Sequence, residues 1–146
     1  MITVVTTGMD PSEIEDLLKR STVGRLAVLT DEGPYVIPLG YVYEGGKIGF
    51  HSSYKGRKVE SFNRDRRVCF EVDEANREIT EYKSVLVFGR IEKTEDREIK
   101  LKVLRSLVEK YPTERRRKID FKDCVDEAAV FLIASEKVTG KKRTGE

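Results

Sequence analysis

Apolar residues recur at helical spacing near the N-terminus and at strand-like spacing in most of the chain that follows. Near the start, Asp10-Pro11-Ser12-Glu13 is typical of a helix beginning, because the aspartate can cap the helix and proline suits its first turn. Ile14, Leu17 and Leu18 then lie on one helical face. This pattern predicts a short N-terminal helix over about residues 11–20.

After this helix, the apolar residues form short or alternating runs that are typical of β-strands. The predicted strands cover about residues 25–30, 35–43, 47–52, 67–73, 82–92 and 128–138. Gly33 and the Gly45-Gly46 pair separate the first three runs, where a tight hairpin needs residues with positive φ. These three strands are therefore predicted to form an antiparallel meander.

The run 35–43 is unusual because both of its alternating faces are apolar. A strand with one face in water would not tolerate this, so a helix or another subunit is expected to cover the outer face. Pro38 cannot donate a ladder hydrogen bond, which implies an edge, a bulge or an interruption of the pairing. A ligand could use such a gap.

A second helix is predicted over about residues 95–110, ending before Pro112, because Val103, Leu104 and Leu107 recur at helical spacing. The basic stretch 115–118 after it is interpreted as a solvated turn. The strands cluster instead of alternating with helices, and no Pro/Gly/Ser-rich linker divides the chain. The prediction is one domain over residues 1–146, mainly β with two or three helices, folded as a six-stranded antiparallel split barrel.

Composition excludes several classes of function. The 28 Lys and Arg nearly balance the 26 Asp and Glu, so no nucleic-acid partner is expected. No long apolar run or signal-peptide pattern occurs, and the two cysteines form no C-x-x-C motif, so a cytoplasmic protein without a membrane partner is expected. With one histidine, His51, and no G-x-S-x-G motif, neither a serine hydrolase nor a bound metal is expected.

The segment 47–58 contains the residues best suited to bind a phosphate group. It ends a predicted strand in hydroxyls, passes a glycine and enters a helical run that begins with two cations. Hydroxyls, helix N-terminal amides and charge-assisted bonds from basic side chains all suit a phosphate monoester. Neither common glycine loop for nucleotide phosphates occurs in the chain, so side chains and turn amides would have to hold the phosphate. The side chains that could supply these contacts are Ser52, Ser53, Arg57 and Lys58.

Several motifs, taken together and in order, resemble one protein family. They are Pro34-Tyr35-Val36-Ile37-Pro38-Leu39, Phe50-His51-Ser52-Ser53, Gly56-Arg57-Lys58, Tyr82-Lys83-Ser84-Val85, Gly89 and, more weakly, Val138-Thr139-Gly140-Lys141. With these motifs the chain resembles the pyridoxamine 5'-phosphate oxidase-like superfamily of FMN-binding split barrels. Within it, the chain is most similar to the nitroimidazole-resistance branch of nitroreductase-type flavoproteins.

The resemblance implies a homodimer with FMN in a groove between the subunits. The residues that match its phosphate-binding positions are Ser52, Ser53, Arg57 and Lys58, with Lys58 the strongest match. The backbone of Val36, Ile37, Pro38 and Leu39 would line the flavin ring. Ser84 matches a position that commonly makes a polar contact to the flavin.

For the chemistry, the resemblance implies reduction of a small electron-poor acceptor, such as a nitroaromatic or a quinone, with NAD(P)H as the donor. His51 matches a histidine on the substrate side of the flavin and is the candidate catalytic residue. Vitamin B6 oxidation is not expected, because the chain has no Trp and lacks the C-terminal Trp and Arg-containing signature. Two alternatives stay open: a non-catalytic flavin carrier or sensor, and the same barrel binding deazaflavin or haem.

Overall fold

The computed structural model describes residues 2–52 and 57–145, and their side chains except those of Thr6, Arg57 and Lys58. Over these residues the chain forms eight strands and five helices. The strands are β1 Thr3–Thr7, β2 Gly24–Thr30, β3 Gly33–Leu39, β4 Val42–Glu44, β5 Lys47–Ser52, β6 Arg67–Ala75, β7 Tyr82–Thr94 and β8 Ala129–Arg143. The helices are α1 Pro11–Arg20, α2 Arg57–Arg64, α3 Arg97–Lys110, α4 Glu114–Arg117 and α5 Phe121–Cys124. None of the helices in this part of the chain has the length and apolar character needed to cross a membrane.

The strands form a mostly antiparallel sheet in the order β3-β2-β6-β7-β8-β5-β4, and β1 pairs in parallel with β8. The path is open, with β3 at one end and β4 at the other. The predicted mainly β fold is confirmed, but the described residues contain eight strands instead of about six. In β1, Val4 and Val5 are both about half exposed, so this strand lacks the alternation that would have revealed it.

The predicted meander is only partly correct, because both of its antiparallel pairings form but its middle run, 35–43, is divided between β3 and β4. β3 pairs with β2 and β4 pairs with β5, at opposite ends of the strand order. The break lies at Gly40 and Tyr41, where Tyr111 at the end of α3 contacts the chain. Its hydroxyl oxygen accepts a hydrogen bond from the Tyr41 amide at 3.1 Å and donates one to the Thr22 carbonyl at 2.8 Å. A distant helix end therefore interrupts the strand.

The hairpin glycines behave as predicted. Gly33, Gly45 and Gly46 all have positive φ, which lets the chain turn between β2 and β3 and between β4 and β5. Each hairpin is therefore encoded locally, even though the two hairpins do not pair with each other.

Two apolar cores lie on opposite sides of β5 and β8. The inner core of the sheet includes Phe50 and Phe131, whose rings stack at 5.5 Å between centroids. The outer core lies under α3 and includes Val130 and Leu132 from β8 together with Leu104 from α3. Successive residues of β8 thus enter different cores, which explains why the β8 segment is apolar on both faces.

The helix ends follow local capping chemistry. α1 covers the predicted range, and the Asp10 side chain accepts a hydrogen bond from the Glu13 amide at 2.9 Å. α3 begins after its cap Asp96, slightly later than predicted. The basic stretch interpreted as a solvated turn is instead the short helix α4, whose cap Thr113 accepts a hydrogen bond from the Arg116 amide at 3.0 Å. β8 continues to Arg143 instead of residue 138, because it pairs with the full length of β7.

Candidate functional site

The predicted ring-lining segment forms most of β3, at one edge of the sheet. Val36 and Pro38 are exposed, whereas Ile37 and Leu39 are partly buried against the inner core. Pro38 sits opposite Arg25 of β2, and β3 pairs with no second strand among the described residues. The edge position that Pro38 implied is therefore the one observed.

Val36 begins an apolar row across the outer surface of the sheet. The register places it beside Ala27, which lies beside Cys69, which in turn lies beside Phe88. Val36 is 57% exposed and Phe88 is 39% exposed, so this surface is uncovered in the single chain. We call it the outer sheet face. Its apolar members are Ala27, Leu29, Pro34, Val36, Pro38, Cys69, Leu86 and Phe88.

Ser84 lies on the same outer sheet face as Val36. It pairs with Asp73 of β6 on one side and with Lys141 of β8 on the other, and it is partly buried. The strands β2 and β6 separate it from β3. Three of the predicted flavin contacts, Val36, Pro38 and Ser84, therefore share a face, but Ser84 is not a neighbour of the other two.

A second cluster on this face contains two carboxylates and one guanidinium. Nη1 of Arg25 lies 3.1 Å from Oε1 of Glu71 and 3.1 Å from Oδ2 of Asp73. Burial and the adjacent Asp73 carboxylate raise the pKa of Glu71 to about 7, despite the opposing effect of Arg25. Glu71 thus titrates near neutral pH.

Ser52 ends β5 with its side chain on the inner side, in line with Phe50. Its Oγ atom is buried and has no hydrogen-bond partner in the described part of the chain. A buried hydroxyl without a partner is unfavourable by about 1–3 kcal/mol, so a group that accepted its hydrogen bond would stabilise this strand end. The position is the one predicted for the flavin phosphate.

The remaining predicted phosphate ligands follow Ser52. Ser53 lies outside the described residues, as do the side chains of Arg57 and Lys58. The backbone of these two cations forms the first turn of α2, so the predicted strand and the predicted helix are observed on either side of residues 53–56. Further along α2, Phe62 packs edge-to-face on Phe131, with 5.1 Å between ring centroids, and holds the helix against the inner core.

The side chain of His51 projects from the face of β5 opposite to that of Ser52, as strand alternation predicts. It is exposed and lines a groove of about 380 Å³ between β5, α3 and the α4–α5 segment. We call this the His51 groove. Most of its lining is apolar and comes from Leu104, Leu107, Val108, Ile119 and Phe121.

Arg116 also lines the groove, although no sequence pattern had singled it out. Its Nη1 donates a hydrogen bond to the Tyr111 carbonyl at 2.9 Å, which holds the guanidinium beside the end of α3. The local signal was present, because Thr113 followed by Glu114 is a common helix start. A helix recognised there would have placed the three arginines on different sides instead of in one solvated turn.

The site residues therefore belong to three surfaces of the chain. Val36 and Ser84 lie on the outer sheet face, Ser52 is directed to the inner side at the end of β5, and His51 faces α3. Register and strand alternation decide these directions.

Comparison with known proteins identifies the family. The model of a family described as pyridoxamine 5'-phosphate oxidase matches residues 10–142. The chain belongs to the pyridoxamine 5'-phosphate oxidase family. A curated relative, the uncharacterized protein RA0666 of Rhizobium meliloti (strain 1021), is 29% identical over 84 residues, which are 56% of this chain and 53% of that protein. The match thus spans about half of the relative.

Solved structures of similar fold include flavoproteins. An FAD-binding protein (mll6688) from Mesorhizobium loti is 28% identical, with a TM-score of 0.73 over 93% of this chain and 96% of its own. A candidate 5-nitroimidazole antibiotic resistance protein from Bacteroides thetaiotaomicron VPI-5482 is 24% identical, with a TM-score of 0.76 over 90% and 82%. The flavocytochrome Anf3 of Azotobacter vinelandii is 23% identical, with a TM-score of 0.74 over 93% and 68%. The chain thus has the split-barrel fold of this family.

Proposed function

We propose that this protein is an FMN-dependent oxidoreductase of the cytoplasm that works as a homodimer and reduces a small electron-poor acceptor. For a quinone, the overall reaction is quinone plus NAD(P)H plus a proton giving hydroquinone plus NAD(P)⁺. The observation that carries this proposal is the buried, unpartnered Oγ of Ser52 at the junction of β5 and α2. In a chain of this family, that junction is where a flavin phosphate fits the residues present.

Four residues would hold the phosphate. The Ser52 hydroxyl would donate one hydrogen bond, Ser53 would add a second hydroxyl, and Arg57 and Lys58 at the start of α2 would add two cations. Positive charge and free amides at a helix start both favour a dianionic group. A flavin held by these residues would supply the redox chemistry, namely hydride acceptance from the nicotinamide and two-electron reduction of the acceptor.

The flavin ring would lie against the backbone of residues 36–39, with Ser84 supplying a polar contact. Ser52 and Ser84 are directed to different sides of the sheet, which supports the proposal that a second copy completes the surroundings of one flavin. The uncovered outer sheet face, where Val36, Leu29 and Phe88 are all at least 39% exposed, supports this arrangement. A dimer formed through it would bury those apolar side chains.

His51 would donate a proton to the electron acceptor and would not help to bind the cofactor. Its side chain leaves β5 on the side of the groove, away from Ser52, and an imidazole can donate a proton near neutral pH. Reduction of a quinone or nitro group needs protons as well as electrons. His51 is therefore the proposed proton donor.

The kind of cofactor is tested by the visible spectrum of the purified protein, followed by chromatography of the cofactor released on unfolding. FMN is the expected product. FAD is the second candidate, because the protein mll6688, to which this chain is 28% identical, is an FAD-binding protein. Deazaflavin or haem would give different spectra, and bound flavin without turnover of NAD(P)H would indicate a carrier or sensor.

The role of Ser52 is tested by Ser52→Ala. Losing a hydrogen bond to a charged phosphate should weaken flavin affinity about tenfold or more. The flavin-free variant should be as stable as the wild type or more stable, because an unpartnered buried hydroxyl has been removed. The readouts are flavin affinity by fluorescence titration and urea unfolding.

Ser135→Ala is the matched control. Oγ of Ser135 donates to the Gly46 carbonyl at 2.6 Å, so this variant should lose about 1 kcal/mol of stability and keep its flavin affinity. If Ser52→Ala binds flavin as tightly as the wild type, Ser52 is not a phosphate ligand.

A further inference from the structure

We propose that the His51 groove binds the electron acceptor and selects acceptors that combine an aromatic body with an anionic group. This rests on the reductase function proposed above, and it names the class of substrate. The selecting residue is Arg116.

The groove has the size and surface of a small-molecule site. Its volume of about 380 Å³ lies within the range of about 300–1,000 Å³ that is common for ligand pockets. Leu104, Leu107 and Val108 form one side, while Ile119 and Phe121 form another. A planar aromatic molecule would exchange water for apolar contacts on both sides.

The polar side chains that line the groove favour an anion. His51 and Arg116 can both carry positive charge, and no acidic residue of the described chain lines the groove. Arg116 also has no ion-pair partner within the described residues, so its charge is available to a ligand. Arginine binds carboxylates through two parallel N–H donors, which gives direction as well as charge.

The backbone holds Arg116 in place. Its amide is capped by Thr113 at 3.0 Å, and its Nη1 donates to the Tyr111 carbonyl at 2.9 Å. Arg115 and Arg117 belong to the same short helix but do not line the groove. Of the three consecutive arginines of α4, only Arg116 is therefore positioned to contact a ligand in the groove. Arg115 is the matched control.

The test compares two nitroaromatic acceptors of similar size, one anionic and one neutral. Binding of 4-nitrobenzoate and of 4-nitrobenzyl alcohol to the oxidised, flavin-loaded protein is measured by calorimetry without NAD(P)H. We expect the benzoate to bind about tenfold more tightly. Arg116→Gln should abolish this preference while the alcohol binds as before, and Arg115→Gln should keep it. Equal affinity for both acceptors in the wild type would overturn the proposal.

A second variant tests the location of the site. Val108→Phe places a larger side chain in the groove and should weaken binding of both acceptors about tenfold or more. Unchanged affinity in this variant, once its folding is verified by circular dichroism, would also overturn the proposal. Because binding is measured without reductant, it does not depend on turnover. Selective binding without NAD(P)H-dependent reduction would instead refute the reductase function, and only the preference of the groove for anionic aromatic ligands would stand.

Discussion

His51 and Ser52 are consecutive residues at the end of β5, but their side chains face different parts of the molecule. Ser52 has a buried hydroxyl without a partner in the described chain, whereas His51 is exposed beside a groove. The buried Ser52 hydroxyl has an unused hydrogen bond that a bound group could accept. The exposed His51 imidazole is accessible to a ligand from solution. Strand alternation thus separates a proposed cofactor residue from a proposed substrate residue.

The role of His51 is tested by His51→Ala. The variant should keep its flavin absorbance, because the side chain points away from the proposed phosphate site. Reoxidation of the reduced flavin by a nitro acceptor, followed by stopped flow, should slow about 100-fold because a proton donor is lost. Loss of flavin together with an unchanged rate per bound flavin would make His51 a structural residue.

Glu71 should make stability depend on pH. Its pKa rises from 4.5 to about 7 on folding, so between these values the folded state binds more protons than the unfolded state. The stabilisation from this group is present below about pH 4.5 and is lost as pH rises through 7. In Glu71→Gln the amide side chain stays neutral, so this stabilisation is not lost as pH rises. The variant should therefore be more stable than the wild type between pH 5 and pH 8.

The expected gain is about 1 kcal/mol, because water screens a side chain that is 28% exposed. Urea unfolding at pH 5 and pH 8, at one fixed protein concentration, measures it. Glu78→Gln, at an exposed position between β6 and β7, is the control and should behave alike at both pH values. A gain that is equal at both pH values for Glu71→Gln would contradict the prediction.

Among the elements, α3 does more than cover one face of β5. Tyr111 follows the last turn of α3 and lies at the break between β3 and β4, where its ring packs against Gly40. A Cβ added at Gly40 would lie 3.2 Å from Cζ of that ring, which is closer than normal packing allows. The helix end, the strand break and one wall of the groove are therefore a single packed unit.

Tyr111→Phe tests this unit. The variant keeps the ring but leaves the Tyr41 amide and the Thr22 carbonyl without their partner, so we expect a loss of about 1–2 kcal/mol in the free energy of unfolding. Tyr82→Phe is the control, because the Tyr82 hydroxyl makes no hydrogen bond within the described residues. Equal stability of the two variants would show that the hydroxyl of Tyr111 does not hold the break.

For the whole molecule, the outer sheet face is the surface that a second copy would cover. Val36→Lys would bury a charge in that interface and should convert a dimer to a monomer with weakened flavin binding. Ile79→Lys is the control, because Ile79 is exposed at the turn between β6 and β7 and is not on this face. Light scattering at micromolar concentration measures both. A wild-type monomer would refute the dimer, and a dimeric Val36→Lys would place its interface elsewhere.

Local chemistry accounts for the parts of the fold that the sequence predicted. The Asp10 cap, the apolar spacing of α1 and the turn glycines act over a few residues, so they can be read from the chain alone. Family resemblance then selected the phosphate residues and His51, but it could not show which surfaces these residues face. Residue types and their order were thus enough for α1, α3, most of the strands, the fold class and the family.

Long-range contacts decided the rest. Nothing near Gly40 indicates that Tyr111 will interrupt the strand there, because the contact joins residues about 70 positions apart. Likewise, Arg116 lines a groove only because α4 folds back beside α3, and the Oγ of Ser52 lacks a partner only because its strand end is buried. Strand order, burial and pockets depend on which distant segments meet, so only the tertiary structure could decide them.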